Sequence, residues 1–283
     1  MTRSKALSAL LIIAAIPHLA CLASEKESRE IKVMSYNIRL GSGNDGSNSW
    51  ENRKQATIEM INDQKPDIFG IQEALSYQIE YIESGCRRYS CAGVGREDGK
   101  KEGEHMSIFW NKKAIKMLRW GTFWLSETPE TPSKGWDARY KRTATWGLMK
   151  DRKTGRKFYF VNTHLDHRGK EAQKNGLKMI VDRIDIINPE GYPMILTGDF
   201  NVNPDDPSLI HLDSVMQSAR KSAEKTDSHN TFNGWSDVQN DRIIDYIYFK
   251  GFDRCPEYQT VRTRYLDIPF VSDHYPITAR LKF

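Results

Sequence analysis

The stretch Pro193-Met194-Ile195-Leu196-Thr197-Gly198-Asp199-Phe200-Asn201 decides the fold. Its apolar run is the length of a buried strand, and it ends abruptly in a carboxylate and a carboxamide. Three more stretches repeat the pattern: Ile31 to Met34 precedes Ser35-Tyr36-Asn37, Ile68 to Ile71 precedes Gln72-Glu73, and Phe158 to Val161 precedes Asn162-Thr163-His164. A fifth polar patch, Ser272-Asp273-His274, completes the set. Each patch marks a point where the chain leaves the core. Strand ends from distant parts of one chain, all bearing carboxylate, carboxamide or imidazole, are expected to share one cleft on a layered α/β scaffold.

Helical patterns lie between the strands. Leu75, Ile79 and Ile82 recur at i, i+4, i+7, and Leu177, Ile180, Val181 and Ile184 at i, i+3, i+4, i+7, each marking one buried stripe. Ile243 to Phe249 and Ile277 to Phe283 read as late strands. Alternation of strand and helix early, with more strands later, predicts mixed sheets, and two strand-rich halves suggest two packed sheets. Residues 93 to 146 read as long and loop-rich. They hold Trp110, Trp120, Trp124, Trp136 and Trp146; Trp110 and Trp146 fall in strand-like runs, while Trp124 and Trp136 are candidates for a substrate-binding rim.

The patches span residues 35 to 274, which favours one domain, residues 31 to 283, over two. The segment ahead of it differs in kind. Arg3 and Lys5 precede an apolar Ala6 to Ile16, too short to span a bilayer, as in a secretory signal. Cleavage after Ala23 would release a soluble protein; Leu19-Ala20-Cys21 resembles a lipobox that would leave a lipidated, membrane-attached Cys21 after residues 1 to 20 are removed. Residues 24 to 30 read as a tether. The expected location is the bacterial periplasm, the cell surface or the medium. Either cut removes Arg3 and Lys5 and no acid, so the net charge of +5 falls by two. So small a charge is no signature of duplex DNA binding, though a nuclease is not excluded. Cys86 and Cys91 could close a small loop in an oxidising compartment or stay unpaired, with Cys255 free.

Glu73 and Asp273 are hard oxygen donors, and Asn37 adds a carboxamide oxygen, a set suited to Mg²⁺ or Mn²⁺ rather than zinc. If the chain stays extended past Leu196, Asp199 and Asn201 point the same way, one to handle a water and one to donate to a phosphoryl oxygen; Gly-Asp-x-Asn is also good turn chemistry. Asp245 is an acid inside an apolar run and needs a partner, and His274 offers an N–H. His164, directly after a strand, is expected in the same cleft. No serine-hydrolase elbow, phosphate-binding P-loop or zinc-protease helix motif occurs.

Six motifs run in order: Ser35-Tyr36-Asn37, Ile71-Gln72-Glu73, Asn162-Thr163-His164-Leu165, Thr197 to Asn201, Ile244-Asp245-Tyr246-Ile247 and Ser272 to Pro276. Together they resemble the endonuclease/exonuclease/phosphatase family across nearly the whole of residues 31 to 283. The resemblance implies a four-layer α/β sandwich, two packed mixed sheets flanked by helices, and Mg²⁺-dependent hydrolysis of a phosphate ester by direct attack of water. Carried over by position, Glu73 looks like the principal metal ligand with Asn37 and Asp273 close by, Asp199 like the residue that activates water, Asn201 and His164 like phosphate contacts, and His274 like a catalytic histidine oriented by Asp245. Arg39 stands where some family nucleases carry an acid, and could hold a phosphate group. An exported phosphodiesterase or phosphatase is the leading expectation; an extracellular nuclease taking nucleic acid, and a non-catalytic surface binding module, are the alternatives. Nothing implies a protein partner.

Overall fold

The computed structural model describes residues 29–283. The signal segment, Cys21 and all of the tether up to residue 28 therefore lie outside the described residues. The chain runs β1 (Glu30–Asn37), α1 (Trp50–Gln64), β2 (Ile68–Gln72), α2 (Ser76–Gly85), β3 (Tyr89–Ala92), β4 (Ile108–Asn111), β5 (Ile115–Trp124), β6 (Thr143–Asp151) and β7 (Lys157–His164). It continues through α3 (Lys170–Ile187), β8 (Met194–Asp199), α4 (Ile210–Val215), β9 (Gln217–Ser218), α5 (Ala219–Ser222), β10 (Asp245–Lys250), β11 (Arg254–Thr260) and β12 (Ile277–Lys282). Glu30, assigned to the tether from sequence, is already paired with Lys282 in the sheet.

Two six-stranded sheets form, in the orders β11-β12-β1-β2-β4-β3 and β5-β6-β7-β8-β10-β9. Each contains one parallel pair, β1 with β2 and β7 with β8, and is otherwise antiparallel, so both are mixed. Three apolar layers make the sandwich. Ile31, Val33, Phe158, Phe160, Ile195 and Phe249 fill the space between sheets; Met34, Phe69 and Ile71 pack outward against Ile58, Ile61, Ile79 and Ile82 of α1 and α2; Val161 and Leu196 pack against Leu177, Ile180 and Ile184 of α3. Alternate residues of β1 thus face two different apolar layers, which is why Val33 and Met34 are both apolar and the run is broken only by Lys32. The stripe on α3 is as its periodicity predicts; on α2 Ile79 and Ile82 of the stripe are buried, with Gln78, and Leu75 sits at the helix cap.

A polar clasp joins the sheets beneath the strand ends. Asn162 Nδ2 donates to the carbonyls of Ile71 and Ser107 at 2.8 and 3.1 Å, and its Oδ1 accepts from Gln72 Nε2 at 2.7 Å and Thr197 Oγ1 at 3.1 Å. All four hydrogen-bonding positions of this buried amide are filled. A Cβ on Gly70 would come within 2.3 Å of Asn162 Oδ1, so the close approach of the sheets requires glycine there.

Residues 93 to 146 hold more strand than their sequence suggests, because β5 is an edge strand with one face to solvent and so lacks a continuous apolar run. Trp110 and Trp146 lie in β4 and β6 as expected. Cys86, Cys91 and Cys255 are all free, so no Cys86–Cys91 bridge forms.

Candidate active site

The parallel pairs bring four strand ends to one edge of the sandwich. In register, Asn37 lies beside Gln72 and His164 beside Asp199, while antiparallel β10 sets Asp245 opposite Asp199. A cleft of about 470 Å³ opens over these ends. Arg39, Glu73, His164, Asp199, Asn201, Asp273 and His274 all line it. Three of its residues, Arg39, Glu73 and Asn201, have φ of 63°, 65° and 54°, a left-handed conformation uncommon outside glycine. That the fold holds such backbone at three points of one cleft marks it as a functional edge.

Asn201 reaches the cleft through the turn that Gly-Asp-x-Asn allows, and not along an extended strand. β8 stops at Asp199, and the Asn201 N–H donates back to Asp199 Oδ1 at 2.9 Å, closing a turn rather than extending the strand. The turn aims Asn201 Nδ2 at His164 Nε2, to which it donates at 2.9 Å. Accepting that bond leaves the His164 ring proton on Nδ1. Burial, reinforced by Arg142 and Arg96, holds His164 well below the usual histidine range, so its ring is neutral.

Asp199 is the hub. Its Oδ2 accepts from Asn37 Nδ2 at 2.9 Å and lies 3.5 Å from His164 Nε2 and 3.7 Å from His274 Nε2. Burial and the neighbouring Asp245 carboxylate push its pKa up to about 7. His274 Nδ1 donates to Asp245 Oδ2 at 2.8 Å, as expected of a buried acid needing a partner. Burial alone would lower His274, but the Asp245 and Asp199 carboxylates more than offset it and hold the pKa at about 10. Asp245 is itself fixed by the strand start and by Thr231, whose Oγ1 accepts from the Asp245 N–H at 3.1 Å. Phe232 meets the His274 ring edge-on at 5.0 Å.

Glu73 Oε1 accepts from Asn37 Nδ2 at 3.0 Å and Oε2 from the Leu40 N–H at 2.9 Å. Burial favours its neutral form, but these bonds and the His274 charge prevail and lower its pKa. Asn37 turns its NH₂ to the carboxylates, and its oxygen accepts from the Arg39 N–H at 3.0 Å. Asp273 Oδ1 accepts from Ser272 Oγ at 3.2 Å, and Oδ2 lies 3.8 Å from Arg39 Nε. Arg39 pairs chiefly with Asp45, at 2.9 and 3.0 Å.

Counting the Asp45 that pairs with Arg39, this wall of the cleft carries five carboxylates, Glu73, Asp199, Asp245, Asp273 and Asp45, against one guanidinium, Arg39, and one imidazolium, His274. The surplus of negative charge is what a divalent cation would offset, and burial pushes both Asp199 and Asp273 upward. Glu73, His164 and Asp199 offer ligand atoms within 4.8 Å of one another. Asp199, Asp245 and His274 are equally close, but there the histidine is already committed to Asp245. The residues thus fit a hard cation bound through Glu73, with Asp273 close by and Asp199 on its edge.

Two expected rim residues are not in the cleft. Trp124 is buried, and its Nε1 donates to the Arg96 carbonyl at 2.8 Å, holding the loop behind the cleft wall. Trp136 packs partly buried beside α3, away from the strand ends. Conversely, Arg96, Glu104, Tyr140, Arg142, His167 and Arg242 line the cleft and were not singled out from sequence. Arg96 and Glu104 bracket a charged run within the stretch read as loop-rich; the Arg96 N–H donates to the Glu104 carbonyl at 3.0 Å, folding the run back on itself.

Comparison with known proteins agrees with this geometry. The chain matches the Endonuclease/Exonuclease/phosphatase family model over residues 34–274. It is similar to the structure of a mannosyl-6-phosphatase from Bacteroides thetaiotaomicron, with TM-score 0.86 and 32% identity over 89% of this chain and 100% of that one. It is also similar to an endonuclease/exonuclease/phosphatase from Bacteroides vulgatus, with TM-score 0.84 and 34% identity over 89% and 98%. The human Nocturnin catalytic domain, crystallised with bound sulfate, shares the fold at TM-score 0.70 and 20% identity over 89% and 93%. The matched span contains Asn37, Glu73, His164, Asp199, Asn201, Asp245 and His274, so the four-layer sandwich and its clustered strand ends place this chain in the endonuclease/exonuclease/phosphatase family of divalent-metal-dependent phosphoric ester hydrolases.

Proposed function

We propose that this chain is an exported, Mg²⁺-dependent phosphatase that releases phosphate from a small hydroxylated molecule by direct in-line attack of water. The observation that carries the reading is Asp199, buried between two imidazoles with its pKa near 7. A base poised near the working pH accepts a proton efficiently from an attacking water. The His274 imidazolium, charged up to about pH 10 and steadied by Asp245, directs its Nε2–H toward the same point and stabilises negative charge on the phosphoryl oxygens. Asn201, fixed by its turn, supplies a further amide donor there. Mg²⁺ held by Glu73, beside Asp273, would supply positive charge to the phosphoryl group when bound, leaving Asp199 free to take the proton.

A cleft of about 470 Å³ suits a small ester, and at 32% identity over the whole of its chain the mannosyl-6-phosphatase supports a sugar phosphate. A panel of mono- and diesters with Mg²⁺ tests this. Preferential turnover of small monoesters is expected; faster cleavage of plasmid or oligonucleotide would favour the nuclease reading, and no turnover at all the binding module. Export rests on the basic and apolar pattern of residues 3 to 16. The intact mass of the mature protein separates a lipidated Cys21 from cleavage after Ala23, and retention of residues 1 to 20 would contradict both.

A further inference from the structure

Past His164 the cleft continues into side chains that the hydrolytic step leaves unused. Arg96 and Arg142 line it and are only 6% and 5% exposed. Arg96 Nη1 donates to Glu104 Oε2 at 2.7 Å; Arg142 Nε lies 3.5 Å from Asp166 Oδ2, and Nη2 lies 3.4 Å from His167 Nδ1. Three buried donors of cleft-lining residues remain without a hydrogen-bond partner among the described residues, Arg96 Nε, Arg142 Nη1 and His164 Nδ1, the first 3.5 Å from Glu97 Oε1 and the last 3.9 Å from Glu104 Oε2. A buried donor left unpaired costs about 1–3 kcal/mol, more when charged, so three in one cleft point to a ligand that fills them. Beside them stands the ring of Tyr140, 45% exposed. The guanidinium carbons of Arg96, Arg139 and Arg142 lie 5.2, 5.8 and 5.9 Å from its centroid, and the His167 ring stacks on it at 5.8 Å. The ring is open to the cleft yet held in place.

The pairing of donors with acceptors selects the ligand. Arg96 and Arg142 are each held by a carboxylate, Glu104 and Asp166, so neither buried guanidinium is wholly free for a second phosphate. This wall offers donors next to carboxylate acceptors, beside an apolar ring face. A pyranose meets all three, since neighbouring hydroxyls both donate and accept and the C–H face of the ring packs on an aromatic surface. We propose that Tyr140, Arg142, Glu104 and His164 Nδ1 form the subsite for the sugar ring of a hexose phosphate, the leaving half of the ester, setting its phosphate beside Asp199. This rests on the phosphatase reading above and names the substrate class and the residues that choose it.

The test compares kcat/KM for mannose 6-phosphate and methyl phosphate, two alkyl esters of which only one has a ring to bind, in the wild type, Tyr140→Ala and Arg142→Lys. Free mannose is also titrated calorimetrically into chelator-treated wild type and Tyr140→Ala. The ratio of the two kcat/KM values is expected to fall at least about tenfold in both variants, chiefly through KM, and mannose binding to weaken by a similar factor. A ratio within twofold of the wild type, equal losses on both esters, or a wild-type preference for AMP or for a bisphosphorylated hexose overturns the subsite. If Arg142→Lys fails to fold, Tyr140→Ala decides, because its side chain lies at the surface. If the wild type hydrolyses neither ester, the phosphatase reading falls by itself; mannose binding then still decides the subsite, upheld if weakened by Tyr140→Ala and overturned if unchanged or absent.

Discussion

The two walls of the cleft are built from the same residue types and do opposite things with them. Around Asp199, carboxylates outnumber cations, and Asp199 and His274 are driven far from their ordinary pKa values. Around Arg142, the two buried guanidiniums are each paired with a carboxylate, donors are left over, and an exposed ring replaces the crowded charge. Unbalanced charge suits a cation and the developing charge of a reaction; paired charge with spare hydrogen-bonding capacity suits a neutral, hydroxylated ligand. His164 joins the two, its Nε2 facing Asn201 and Asp199 and its Nδ1 facing Glu104.

The comparison breaks most visibly at Asp199. Asp199→Asn or His274→Ala is expected to lower kcat by about two to four orders of magnitude, equally for every ester, while circular dichroism stays unchanged. Full activity in folded Asp199→Asn protein would remove it from the chemistry. Next comes the titration of His274. Its folded pKa of about 10 lies above the ordinary 6.5, so the stability it confers is complete below about pH 6.5 and lost as pH rises through 10. Asp245→Asn removes the strongest raising influence, and ¹⁵N NMR should follow the imidazole titration moving down toward the ordinary range; an unmoved titration contradicts the pairing.

Gly70→Ala acts on both walls together. Its Cβ collides with Asn162 Oδ1 in the clasp beneath the strand ends, and about 1–3 kcal/mol of stability should be lost, read as a lower thermal midpoint. An unchanged midpoint would show that the clasp yields freely. Tyr140→Ala, with its roughly tenfold effect confined to sugar esters, is the smallest change and the one that best separates recognition from chemistry.

Much of the Asp199 wall was legible in the sequence because its residues sit where strands end, and a strand buried on both faces announces itself as an apolar run. Asp245 and His274 were readable for a second reason, that an acid within such a run needs a partner. The local route of Asn201 was not legible, since Gly-Asp-x-Asn is compatible with an extended strand and with a turn. The Arg142 wall was hidden almost entirely. Arg96 and Glu104 sit in a charged segment that reads as surface, and Tyr140 and Arg142 follow a polar loop with no apolar run to mark it. Tryptophan content pointed to the right region but the wrong residues, because Trp124 supports the Arg96 loop from behind and Trp136 packs on α3. Edge strand β5 escaped for the same reason as the arginines: one face in solvent leaves no continuous pattern.

The division of labour is tested most directly by calorimetric titration of Mg²⁺ into the substrate-free protein, comparing wild type, Glu73→Gln and Tyr140→Ala. One ion per chain is expected in the wild type and in Tyr140→Ala, with affinity reduced at least about a hundredfold in Glu73→Gln, where a carboxylate of the crowded wall has become neutral. Undiminished binding by Glu73→Gln, or a loss of the ion in Tyr140→Ala, would contradict the account.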